Sequence, residues 1–132
     1  MSSVSALRGG IAARLSTIPN LRVSEVMVDA PRPPQAIVML LRVDYDLNAN
    51  RGADSFEFVV TLMVSRADSR TGQTELDTFI EGNTSVKAAI EADRTLGGNA
   101  NTCRVSEMRN YGAIAYGEQL YLGCEFLVEV TA

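Results

Sequence analysis

Apolar and polar residues alternate along this chain with two different periods, and each change of period marks an element. Val4, Leu7, Ile11, Leu15 and Ile18 recur at helical spacing with Arg8 and Arg14 off the stripe, which predicts an amphipathic first helix stopped by Pro19. Gly9 and Gly10 sit inside it at roughly 1 kcal/mol each relative to alanine, so packing must hold this helix together. "LRVSEVMV" from Leu21 is a strand-like run whose apolar parity changes between Val23 and Val26, the signature of a bulge or bend. "DAPRPPQ" carries three prolines and predicts an extended crossing.

Two long alternating runs follow. In "AIVMLLRVDYDL", Ile37, Met39, Leu41, Val43, Tyr45 and Leu47 are expected on one face; the opposite face is apolar as far as Leu40, then turns to Arg42, Asp44 and Asp46. In "SFEFVVTLMV", Phe56, Phe58, Val60, Leu62 and Val64 oppose Glu57, Val59, Thr61 and Met63. Together they predict a long antiparallel hairpin with "NANRGAD", Asn48 to Asp54, as its projecting tip. The period then becomes helical, with Leu76, Phe79 and Ile80 facing inward before Gly82. A short helix follows from a Thr84 or Ser85 cap, with Val86, Ala89 and Ile90 inward. The remainder reads as a meander: Cys103 to Tyr111, a short piece from Ile114 to Tyr116, a turn at Gly117-Glu118, and a last strand with Leu120, Leu122, Cys124, Phe126, Val128 and Val130 inward. The order α-β-β-β-α-α-β-β predicts one α+β domain over residues 1–132, a mainly antiparallel sheet with helices on one side.

Composition narrows the chemistry. A length of 132 residues with 46% hydrophobic and 21% charged residues fits one ordinary folded domain. The absence of a long apolar run or a signal-like start predicts a cytosolic protein with no membrane partner. A net charge of -4, carried against eleven arginines and the single Lys87, argues against a free nucleic-acid binder. The chain contains no histidine, which removes the common neutral-pH base and the Ser-His and Cys-His pairs. Lys87 beside Ser85 faces another way on its helix and reads as a solvated cation. Asp44 with Asp46, and Glu125 with Glu129, could serve a metal or an acid–base pair, but the outer face of any amphipathic strand carries such residues. Cys103 and Cys124 lack metal or redox spacing and are expected to be reduced and half-buried. No catalytic residue, cofactor or metal site is expected, and exposed sheet edges make self-association the physical expectation.

Several phrases resemble a known family. "VDYDLNANRGADSFEFVVTLMVSRADSRTGQTELDTFIEG", "SVKAAIEADRTLGG", "VSEMRNYG" and "YLGCEFLVEV" resemble the tail terminator proteins of long-tailed bacteriophages, in particular those of phages infecting actinobacteria, over nearly the whole chain. The resemblance implies a hexameric ring, in the virion at the head-proximal end of the tail. It would cap the tail tube, stop its polymerisation and meet a head-side connector, with DNA passing through unbound. Its partners would be further copies of itself, the tube protein and that connector. On this resemblance Asn48, Asn50, Arg51 and Asp54 are the expected tube-docking tip, and Asp44, Asp46 and Glu57 the expected channel wall.

Overall fold

The computed structural model describes residues 4–19, 21–26, 32–45, 54–66, 72–83 and 85–132. The predicted apolar stripe forms α1 (Val4–Leu15), with Leu7, Ile11 and Leu15 fully buried. Gly10 has a packing reason: a Cβ there would lie 2.8 Å from the Cβ of Leu96, so its absence lets the turn after α3 press against the helix. β1 (Arg22–Ser24), β2 (Gln35–Asp44) and β3 (Ser55–Arg66) come next, then α2 (Gly72–Ile80), α3 (Val86–Glu91), β4 (Thr102–Tyr116) and β5 (Gln119–Thr131). The Ser85 hydroxyl accepts from the Ala88 N–H and caps α3.

The fold is α+β, built on a five-stranded mixed sheet of order β1-β2-β3-β5-β4. Three of its pairings are antiparallel, whereas β1 runs parallel to β2 over Arg22 to Ser24. A parallel neighbour requires the chain to return to the same end of the sheet, and the proline-rich connection makes that return. All three helices contribute to one core with a single sheet face, where Val38, Phe58, Val60, Leu62, Cys124 and Val128 are fully buried.

The bulge that matters lies in β2. Leu40 pairs with Phe58 and Arg42 with Glu57, leaving Leu41 as an extra residue outside the ladder. The single face expected for Ile37 through Tyr45 is therefore divided. Ala36, Val38 and Leu40 pack on the helix side and so, past the bulge, does Val43; Leu41 is 45% exposed. Arg42 and Asp44 stand beyond the bulge on the other face, opposite Glu57 and Ser55.

The last hairpin departs from expectation as well. β4 is one 15-residue strand, and the irregularity expected near Tyr111 is a bulge between Arg109 and Gly112, with Asn110 at φ 56. Asparagine is among the few side chains that occupy this region readily. Gly112 pairs with Gly123, and β3 slips against β5 beside it, between Met63 and Ser65. Above this level the arm bends over the helix-free face. Ile114 and Tyr116 share a cavity of about 190 Å³ with Ile37, Met39 and Thr61. Met63 and Ile37 are thus buried on the face away from the helices, and Leu120, expected inward, is 50% exposed.

Gly123→Ala tests the bend, because the added Cβ would fall 1.9 Å from the Leu62 carbonyl oxygen. It should cost about 2–4 kcal/mol in urea unfolding. Gly117→Ala, at φ 63 with open space around it, should cost about 1–2 kcal/mol. Equal costs would mean that β5 does not approach β3 this closely.

Candidate functional site

The helix-free face carries an ordered row of charge. Strand pairing sets Glu57 of β3 between Arg42 of β2 and Glu129 of β5, and sets Glu129 opposite Arg104 of β4. Like charges opposed across β3 and β5 repel, and each is offset by its own arginine. Arg42 Nε lies 3.5 Å from Glu57, and Arg104 Nε donates to Glu129 at 3.0 Å. Arg42 also pairs with Asp44. Two rows up, past Val59 opposite Leu127, Glu125 accepts from Arg109 at 3.1 Å and from Asn110 at 2.7 Å. The arginines are 41–62% exposed, so each pair contributes about 1 kcal/mol at most. What the row provides is surface character, strongly polar yet nearly neutral.

The structure brings Asp44 and Glu57 together through Arg42. Asp46, Asn48, Asn50 and Arg51 lie outside the described residues. Asp54 does not belong to an exposed tip: it is 4% exposed, and its backbone exchanges two hydrogen bonds with Ala132, at 2.9 and 3.0 Å. It anchors the base of the β2–β3 connection to β5. The organising residues that sequence reading passed over are Arg42, Arg104 and Arg109. The signal existed in the alternation of arginines in β4 against glutamates in β5, but only the register shows which of them meet.

The remaining candidates have structural employment. Glu91, 13% exposed, receives Lys87 and Arg94 and accepts from the Val105 N–H at 2.9 Å. Burial pushes its pKa up, but the hydrogen bonds from Lys87 and Val105 outweigh that and hold it below the ordinary value. α3 thereby satisfies part of the outer edge of β4. Tyr111 donates to Asp77 at 2.9 Å and ties the β4 bulge to α2. Asp93 accepts from Thr95 and from the Gly97 N–H beside an open cavity of about 390 Å³ against α1. Hydrogen bonds from Thr95, then from the Gly97 amide, hold its carboxyl below the ordinary range. Cys103 and Cys124 are both free and buried, more deeply than the half-burial expected. Burial pushes their pKa values up to about 11 and about 12, so both are protonated thiols near neutral pH.

Among the described residues no group of three His, Cys, Asp or Glu side chains is arranged to hold a metal ion, and no helix is long and apolar enough to cross a membrane. Two surfaces stand out: the charged row, and the outer edge of β2, where no described strand pairs beyond Ile37 and where Leu41 and Tyr45 are 45% and 75% exposed. Comparison with protein-family models and with curated proteins finds no match.

Two outcomes follow. In the folded protein both thiols should resist alkylation at pH 8 and react fully in denaturant; rapid native labelling, read by mass spectrometry, would contradict their burial. Glu91→Gln should cost about 1 kcal/mol at pH 7. Since the folded pKa of Glu91 is depressed, its contribution is present above about pH 4.5 and is lost as pH falls through the lower folded value. The gap between wild type and variant should close in acid, and a gap constant with pH would remove the charge from the explanation.

Proposed function

We propose that this chain is a structural assembly protein, a tail terminator of the long-tailed bacteriophage type. Its copies form a ring, six by the family resemblance, that caps the tail tube, halts its growth and joins it to the head-side connector. The observation that supports this best is the helix-free sheet face, on which Arg42, Glu57, Glu129 and Arg104 balance two positive charges against two negative. A face of paired charges is hydrated, and with Asp44 and Glu57 sharing Arg42 it holds no positive surplus. It gives phosphates little to bind, which suits a wall past which DNA must slide. Asp44 and Glu57 belong to that wall together with Arg42, which both carboxylates share, so its character is mixed with a slight acidic excess.

The same pairing weighs against an enzyme built on these carboxylates. Glu57 lies in an ion pair with Arg42, and Glu129 and Glu125 accept hydrogen bonds from Arg104 and Arg109, so each of these carboxylates is engaged by a guanidinium and none stands open to a substrate. The protein acts by presenting surfaces. Arg51 and its neighbours, in the connection between β2 and β3, are proposed as the element that meets the tube.

The decisive experiment is electron microscopy of particles made by the parent phage with this gene disrupted. Overlong tail tubes without heads are expected. Normal tails beside unattached heads would make the protein another head-to-tail connector, and a complete lack of tubes would make it the tube protein. Fully infectious virions would end the assembly reading. Removing residues 48–53 while sparing Asp54 should leave the thermal midpoint nearly unchanged and abolish tube attachment; retained attachment would remove the docking role from this segment.

A further inference from the structure

We infer that the outer edge of β2 is a self-recognition surface, on which the segment from Leu41 to Tyr45 pairs antiparallel with the same segment of a second copy. The inference concerns the free chain and does not depend on the tail reading. The Pro34 carbonyl accepts from the Arg22 N–H, so residue 34 points outward, toward β1. Asp54 exchanges both its bonds with Ala132, so even-numbered residues of β3 point toward β5 and odd-numbered ones toward β2. Val43 faces Phe56, an even residue, and therefore directs its own N–H and C=O outward; Arg42 and Asp44, facing Glu57 and Ser55, direct theirs to β3. The extra residue at Leu41 produces this phase, because before the bulge the outward positions are Ala36, Val38 and Leu40.

An antiparallel partner centred on Val43 sets Val43 against Val43 of the second copy, exchanging two backbone hydrogen bonds. The same register sets Arg42 against Asp44, Asp44 against Arg42, and Leu41 against Tyr45. Read in opposite directions, Leu-Arg-Val-Asp-Tyr complements itself at every position. The Arg42 and Asp44 positions become the closely spaced, non-hydrogen-bonded pairs, with Cα atoms about 4.5 Å apart. Four charges then form a square in which each guanidinium neighbours two carboxylates. Arg42 and Asp44 already pair within the chain, and their side chains are 62% and 51% exposed, so both can reach a partner. On the opposite side Leu41 and Tyr45, two of the most exposed large apolar residues, cover each other.

A foreign extended peptide could use the outward Val43 groups but would not match this charge order by default, which is why a second copy is favoured. The pair is isologous and closes at two. It occupies the edge that would otherwise invite uncontrolled sheet growth.

The test uses Arg42→Asp and Asp44→Arg made separately in the full chain, with sedimentation as the readout. Wild type should show a concentration-dependent monomer–dimer equilibrium. Each variant alone opposes like charges and should remain monomeric. An equimolar mixture should dimerise, because one variant presents only carboxylates and the other only guanidiniums. A mixture that stays monomeric while both variants retain the wild-type circular dichroism would overturn the proposal, as would a wild type that is monomeric throughout or forms only larger rings. If a variant fails to fold, hydrogen exchange on wild type decides: the Val43 amide should gain protection with rising protein concentration, and exchange independent of concentration overturns the pairing. Failure here leaves the tail reading intact, since tail length in the gene disruption does not report on this edge.

Discussion

Everything in this protein depends on the ladder between β3 and β5. The sheet consists of two hairpins, β2–β3 with β1 at its edge and β4–β5, and that ladder alone joins them, from Ser55 opposite Thr131 to Arg66 opposite Tyr121. Its helix-side residues, Phe58, Val60 and Leu62 against Val128, Phe126 and Cys124, are the centre of the core. Of the two helices that separate the hairpins in sequence, α2 packs on both strands of the seam and α3 packs beside it on β4. Burial of so many large side chains along one seam makes it the least tolerant part of the molecule.

The opposite face follows from the same register. Because β3 and β5 pair where they do, Glu57 meets Glu129, and the flanking strands must bring Arg42 and Arg104 to that row or leave two carboxylates in mutual repulsion. Surface charge that looks dispersed along the chain is thus spatially ordered by core packing. The bulges serve this order. Leu41 brings Arg42 and Asp44 to the helix-free face, and the bulge after Arg109 lets both Arg109 and Asn110 reach Glu125.

Much of the architecture was legible in the sequence, for identifiable reasons. Period and stop signals located α1, α2, α3 and the four long strands, and the alternation of β3 was read correctly because β3 keeps one pleat from Ser55 to Met63. The alternation of β2 was misread because an inserted residue inverts every position after it and leaves no mark in composition. The direction of β1 was invisible, since three residues carry no statement about which way their neighbour runs. Leu120 failed because a strand's inward face is defined relative to a sheet, and Leu120 lies past Tyr121, the last β5 residue paired with β3. Of the expected site, Asp44 and Glu57 share a face, while Asp54 is buried by a backbone pairing with Ala132 that no local pattern encodes.

The position of β5 has a consequence for synthesis. It follows the other four strands in chain order, yet it sits inside the sheet with a neighbour on either side. Until it emerges, β3 and β4 each lack a partner strand, and the hydrophobic surface of the first hairpin is left half covered. The nascent chain therefore passes through a stage with an incomplete β1-β2-β3 sheet and an unpaired β4 in one polypeptide, the kind of species that chaperones intercept. Completion arrives in a single late step, when one strand slots between two waiting ones, and the translation rate over the codons of β4 and β5 sets how long that vulnerable interval lasts.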